Sequence, residues 1–212
     1  MRQKLILGMV AALLMGLNSW NVSAAETGPA DFMKTKDGKL KPLLTNAKKN
    51  KKKILTVINE MMDFEALSEA SLGSHWAERS ADEQKKFSTT LRSLIEENLV
   101  NRLKDSKDHD ITYGDETVNA DKTEGTVTTT LKTGKTRRAE EIEVVYKMKK
   151  KGAKWIVTDM ITDGVSMVGN YQSQFNKIIK DEGFDALMKR MNDKLAEERG
   201  EKKPAEPAPA EK

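Results

Sequence analysis

Residues 126–161 read "TVTTTLKTGKTRRAEEIEVVYKMKKKGAKWIVTDMI", and their side chains alternate in character. Val127, Thr129 and Leu131 fall on one side of an extended chain. The "KTGK" that follows, at 132–135, is a hairpin signal. The next run puts Ile142, Val144, Tyr146 and Met148 on one face and Glu143 and Lys147 on the other. A period of two is that of a half-buried strand. Gly152 marks another turn, and 155–161 is a further strand, apolar on both faces apart from Asp159. That aspartate interrupts the face shared by Trp155, Val157 and Ile161. A weaker strand over 111–118 completes an antiparallel meander of about four strands.

On either side the period changes to that of helices. Upstream, "KKNKKK" at 48–53 leads into Ile54, Leu55, Val57, Ile58, Met61 and Met62, spaced by three and four. The lysines read as a solvated helix face. Asp63 is placed to cap a second helix carrying Phe64, Leu67 and Leu72, which Gly73 ends. Ser80-Ala81-Asp82-Glu83 is a capping box, and the helix it opens carries Phe87, Leu91, Leu94, Ile95, Leu99 and Leu103 on one stripe. Downstream of Asp163, helical spacing joins Val165, Val168, Tyr171, Phe175, Ile178 and Ile179 as far as Gly183. A last amphipathic helix holds Phe184, Leu187, Met188, Met191 and Leu195. Helices, then a meander, then helices predict an α+β fold with the helices on one face of a curved sheet.

The ends differ from this pattern. Arg2 and Lys4, the apolar run at 5–17 and the small residues Val22-Ser23-Ala24 have the form of a secretory signal peptide cut after Ala24. Residues 25–42 have little periodicity and are expected to be a flexible segment, and 199–212, rich in Pro, Ala, Lys and Glu, a disordered tail. The folded domain is therefore expected over 43–198. The 212 residues include no cysteine, so an exported chain of this composition holds itself by packing alone. Its charge of +4, with 33% charged residues of both signs, describes a solvated surface rather than a nucleic-acid footprint.

The corner "DGVSM", 163–167, raises the question of chemistry. Ser166 as a nucleophile needs a base, and the two histidines, His75 beside Trp76 and His109 in a polar loop, lack the local pattern of one. Asp163 reads as a helix N-cap, with Gly164 permitting the tight turn. Asp159 must take backbone N–H bonds or a lysine, because a lone buried charge is costly. No spacing of His, Asp or Glu suggests a metal. No catalytic residue, no metal and no cofactor are expected.

The segment "KWIVTDMITDGVSMVGNYQSQFNKIIKDEGFDALMKRM", 154–191, resembles the MlaC family, also called the toluene-tolerance auxiliary component family. The family pattern is W-x-V-x-D-x-x-x-[DE]-G-V-S-[LM], then N-Y-R-x-Q-F, then G-[IF]-D-x-L. The stretch "DFEALSEASLGSHWAERSADEQKKFSTTLRSLI", 63–95, is similar to its upstream motifs. Gln172 stands where the family often has Arg. The resemblance covers about 45–195 and implies an NTF2-like sheet with helices around a lipid cavity. It implies a soluble periplasmic carrier that passes glycerophospholipid between an outer-membrane lipoprotein complex and the MCE-domain protein of an inner-membrane ABC transporter, preserving outer-membrane lipid asymmetry. Lipid would be cargo, and the carrier a monomer. The apolar stripes then become candidate cavity lining: Phe64, Leu67, Leu94, Leu99, Val127, Leu131, Ile142, Val144, Tyr146, Val157, Val165, Met167 and Tyr171. Two other readings stay open on the residues alone. One is an enzyme on the same frame using Asp159 with His75 or Asp163. The other is a protein-interaction module whose core is filled.

Overall fold

The computed structural model describes residues 28–104, 110–133 and 140–201. The signal-peptide segment, His109, the centre of the "KTGK" turn and the Pro/Ala tail lie outside them. Helices α1 (Pro29–Leu44), α2 (Ala47–Met61), α3 (Phe64–Leu72) and, after a 3₁₀ turn at Gly73–His75, α4 (Ala81–Lys104) precede the sheet. Strands β1 (Asp110–Val118), β2 (Glu124–Thr133), β3 (Glu140–Lys151), β4 (Lys154–Thr162) and the two-residue β5 (Val165–Ser166) follow in spatial order β1-β2-β3-β4-β5, every pair antiparallel. Helices α5 (Met167–Glu182) and α6 (Phe184–Glu198) close the chain. The expected α+β architecture and meander are present, with β5 added at the edge.

Helix ends follow the local chemistry. Asp63 accepts the Ala66 N–H at 3.2 Å, and Ser80 and Glu83 form the reciprocal capping box at 3.3 and 2.8 Å. Asn46 caps α2 through the Lys49 N–H. Phe87 of α4 is wholly buried where α4, α5 and α6 meet, edge-on to Phe175 at 5.6 Å and beside Phe184.

Residues 25–42 are not the irregular segment expected, because α1 begins at Pro29, which suits the first helical position, and buries Ala30, Met33 and Lys36. The helix runs back along β1. Its Ala30 N–H donates to Glu116 at 3.2 Å, Lys34 lies 5.6 Å from the centre of the Tyr113 ring, and Lys41 approaches Asp110 at 4.0 Å. Buried Lys36 is matched by Glu60 of α2 at 2.6 Å.

The "KKNKKK" run is only partly a solvated face. Lys51 donates to both oxygens of Glu97 at 2.7 and 2.8 Å, and Glu97 is buried between α2 and α4 with Arg199 at 3.6 Å. Lys48, Lys49, Lys52 and Lys53 are exposed. Removing Lys51 takes the two short bonds from buried Glu97 and leaves it only the longer contact to Arg199. Lys51→Met is expected to cost about 2 kcal/mol in urea unfolding and Lys52→Met close to nothing.

Burial tends to raise the Asp63 carboxyl, but the Lys151 ammonium at 2.9 Å and the capping N–H groups outweigh it and hold it below the usual carboxylate range. A group depressed on folding contributes stability above its unfolded value and loses it as pH falls through the folded one. Asp63→Ala should therefore destabilise at neutral pH and shrink the loss of stability below about pH 4, as acid titrations of unfolding would report.

Candidate functional site

The register of the sheet sorts its inner face, the one turned to the core, into four cross-strand rows. Ile111, Leu131 and Ile142 form the first; Tyr113, Thr129, Val144 and Thr162 the second; Glu116, Val127, Tyr146 and Met160 the third; Val118, Gly125, Met148 and Val157 the fourth. The sequence-predicted partners Val127, Leu131, Ile142, Val144 and Tyr146 therefore share one face, as their alternation required. Their burial is uneven. Met148 and Val157, with Trp155 beyond them, are packed solidly in the core, as are Val127 and Val144. Leu131, Ile142, Tyr146 and Met160 are only partly buried, and Ile111 is 38% exposed. On β2, β3 and β4 the fourth row is thus packed and the first only partly buried, while at the β1 edge both Ile111 and Val118 are exposed.

Helices supply the rest. Met167 and Tyr171 on α5 are partly buried, with Tyr171 stacked on Phe175 at 5.3 Å. Leu67 of α3 is wholly within the core, and Leu94 and Leu99 of α4 pack against it. Phe64 lies under the Arg92 guanidinium, 5.5 Å from its ring centre, and lines a surface groove of about 360 Å³ with Trp76, Gln84 and Lys85. A second surface groove, about 350 Å³, is bounded by Pro29, Val118, Lys122 and Trp155. Neither groove includes Leu131, Ile142 or Tyr146.

Two expectations for the corner at 159–167 are corrected. Val165 is not on the α5 stripe. It pairs with Thr162 in β5 and is 60% exposed. Asp163 is not an N-cap: with Gly164 it forms the two-residue turn joining β4 to β5, both at positive φ (49° and 80°). That geometry is the hairpin turn that Asp-Gly favours. The cap is Ser166, whose oxygen accepts the Gly169 N–H at 2.9 Å.

Asp159 does not interrupt the inner face either. A β-bulge at Thr158 shifts the register between Lys147 and Met148, so Met160 takes the inward place and Asp159 pairs across from Lys147, on the other face. Its carboxylate is buried because it is fully used. Oδ2 accepts from the Ser166 hydroxyl at 2.7 Å, and Oδ1 accepts the N–H groups of Val168 at 3.1 Å and Met160 at 2.9 Å. The backbone N–H bonds expected of a buried aspartate are present. The His75 ring contacts Glu78 at 3.2 Å and Asn176 at 3.0 Å, not Ser166 or Asp159. The hydroxyl and carboxylate are committed to holding the start of α5.

Sequence reasoning placed Thr129 on the inner face but missed Met160 there, and missed the whole of α1. The signal for α1 was Ala30, Met33, Leu40 and Leu44 at helical steps, diluted by Gly38, Pro42 and intervening lysines. Among the described residues no group of three His, Cys, Asp or Glu side chains is arranged to hold a metal, and no helix is long and apolar enough to cross a membrane.

Comparison with known proteins gives this arrangement its context. No curated protein sequence matches the chain. Among solved structures, the fold is similar to that of the phospholipid-binding protein from Ralstonia solanacearum in complex with a phospholipid, with a TM-score of 0.70 at 18% identity, over 82% of this chain and 99% of that one. At that identity the likeness concerns the fold. The model of the MlaC protein family matches residues 32–193, which takes in α1 through most of α6, and the chain belongs to the MlaC family.

Proposed function

We propose that this protein is a periplasmic phospholipid carrier that takes glycerophospholipid from one membrane complex to another in an ABC-type Mla pathway, acyl chains buried against the half-open inner face. The observation that carries the reading is the partial burial of the first row of that face. Leu131 and Ile142 of the first row are only partly buried, whereas Met148 and Val157 of the fourth are wholly packed, so apolar surface of β2 and β3 is left for a ligand at the first-row end. Family membership and the phospholipid held by the similar Ralstonia solanacearum protein support the choice of ligand. Each buried CH₂ is worth about 0.8 kcal/mol, so one acyl chain supplies on the order of 10 kcal/mol without any specific contact. The proposed lining is Val127, Leu131, Ile142, Val144, Tyr146 and Met160 from the sheet, with Met167 and Tyr171 from α5. Met160 and Met167 have side chains flexible enough to follow chains of varied shape. The partners proposed are the outer-membrane lipoprotein complex and the inner-membrane MCE-domain protein, with the carrier monomeric between them.

Organic extraction of the purified protein followed by mass spectrometry should recover glycerophospholipid in stoichiometric amount. Its absence, with no uptake from liposomes, would sink the reading. Glutamate substitutions at the two ends of the inner face separate a cavity from a core. Ile142→Glu, where water reaches the side chain, should stay folded and lose its lipid. Met148→Glu, at the closed end, should unfold the protein at a cost of several kcal/mol. If both unfold alike, the face is a solid core.

Asp159→Asn distinguishes a structural from a chemical role. Its amide nitrogen would face a donor in place of one carboxylate oxygen, costing about 2 kcal/mol of stability. The loss should appear as a lower melting temperature, with bound lipid unaltered in the folded protein.

A further inference from the structure

The two edges of the sheet differ. At the β4 edge, β5, the Asp63 N–H and the bonds of Asp159 to the start of α5 provide cover. At the other edge β1 pairs with β2, and among the described residues no backbone hydrogen bond joins it to any further element. Helix α1 reaches β1 through the side chains of Glu116, Tyr113 and Asp110. Every residue of β1 except Tyr113 is exposed. Alternate peptide groups of an edge strand point away from its sheet, so β1 presents N–H and C=O groups to water. The register shifts between Tyr113 and Glu116, where β1 has one residue more than β2. Such a bulge bends a strand, which leaves 110–113 as the longer straight run of this edge.

The cross-strand rows that end on this run define what would continue them. On the inner face Ile111 ends the row Ile111–Leu131–Ile142, and Tyr113 the row Tyr113–Thr129–Val144. On the other face Thr112 ends the row Thr112–Thr130–Glu143. Beside it Asp110 stands opposite Lys132, and Lys132 opposite Glu141, with the ammonium of Lys132 at 3.1 Å from the Glu141 carboxylate. Charge alternates in sign along that row, and the row ends on a carboxylate. Asp110 has Lys41 of α1 at 4.0 Å, but both side chains are exposed, and such a pair contributes little.

We propose that residues 110–113 are a docking edge for an extended segment of another protein. The segment adds to the sheet as a further strand, with a Lys or Arg opposite Asp110, apolar residues opposite Ile111 and Tyr113, and a small polar residue opposite Thr112. In this mode of recognition main-chain bonds supply the affinity and alternate side chains the selection. Opposite charges across a strand pair favour it and like charges oppose it. The same rule disfavours a second copy of β1 as the occupant, because its sequence, DITYGDETV, has no lysine or arginine to set against Asp110. The docking edge is argued from the strand and its rows, and it does not depend on the carrier reading.

The test titrates the isotope-labelled full chain with the peptide acetyl-Lys-Val-Thr-Val-Lys amide, whose sequence reads alike in both directions, and follows the backbone amides by NMR. The peptide should shift the amides of 110–113 and slow their hydrogen exchange. Acetyl-Glu-Val-Thr-Val-Glu amide should bind the wild type about tenfold more weakly, and Asp110→Lys should reverse that order. A reversal cannot come from lost structure, and the comparison of the two peptides on the wild type needs no variant. The lysine peptide methylated on every backbone nitrogen should not bind. Absence of shifts at 110–113, shifts centred elsewhere, equal binding of the two peptides to the wild type, or binding by the methylated peptide overturns the docking edge and leaves the carrier reading standing. A shift of these amides with protein concentration alone assigns the edge to a second copy of the chain and overturns the proposal too.

Discussion

The outer edge of β4 is the place from which the helical layer hangs, and three different groups cover it in turn. At Val157 the carbonyl accepts the N–H of Asp63, where α2 gives way to α3, and Met62 lies alongside. At Ile161 and Thr162 the short β5 pairs in the ordinary antiparallel way. Between them stands Asp159, whose carboxylate takes the Ser166 hydroxyl and the Val168 N–H. An uncovered edge would leave a row of peptide groups with no partner in the protein interior. Covering it with the α2–α3 junction on one side of Asp159 and the start of α5 on the other fixes both helical groups to one strand. The bulge at Thr158 makes this possible, because it turns Asp159 away from the apolar face and lets Met160 take that place.

The sheet was legible because strand burial has a period of two, and the inner residues of β2 and β3 keep that period without a break. The bulge was not legible. One extra residue reverses the phase of everything after it, and "WIVTDMI" reads as continuous alternation until the partner strand is seen. The same limit applies to charge. Lys51 and Lys52 are equivalent letters in a basic run, yet one meets buried Glu97 and the other water. Helix α1 was missed for a related reason: its buried face includes Lys36, which pairs with Glu60 of α2, and a lysine counts as solvated until its partner is known. Where local chemistry decides the outcome, as in the capping box at Ser80 and the cap at Asp63, the sequence reading and the structure agree.

Partly buried apolar side chains at one end of an otherwise packed face carry a thermodynamic implication. Area left in contact with water contributes nothing to folding at roughly 25 cal/mol per Å², so Leu131, Ile142 and Tyr146 stabilise the empty protein less than their size would allow. On the carrier reading, a bound acyl chain would supply the missing contact and stabilise the loaded form by mass action. The closed end, with Met148, Val157 and Trp155, holds the sheet to the helices in either state.

This division also separates affinity from selection. Acyl burial on the order of 10 kcal/mol per chain is nearly the same for every glycerophospholipid, and so decides that a lipid is held without deciding which one. Contacts to a headgroup near water are worth about 1 kcal/mol each, too little to hold a lipid yet enough to shift the ratio between two lipids severalfold. A carrier that must also release its cargo has reason to keep the second quantity small and to place it at the open end. Helix α1 runs along β1 with polar contacts at both of its ends, Ala30 to Glu116 and Lys41 to Asp110, beside apolar rows that pack most tightly at Met148 and Val157.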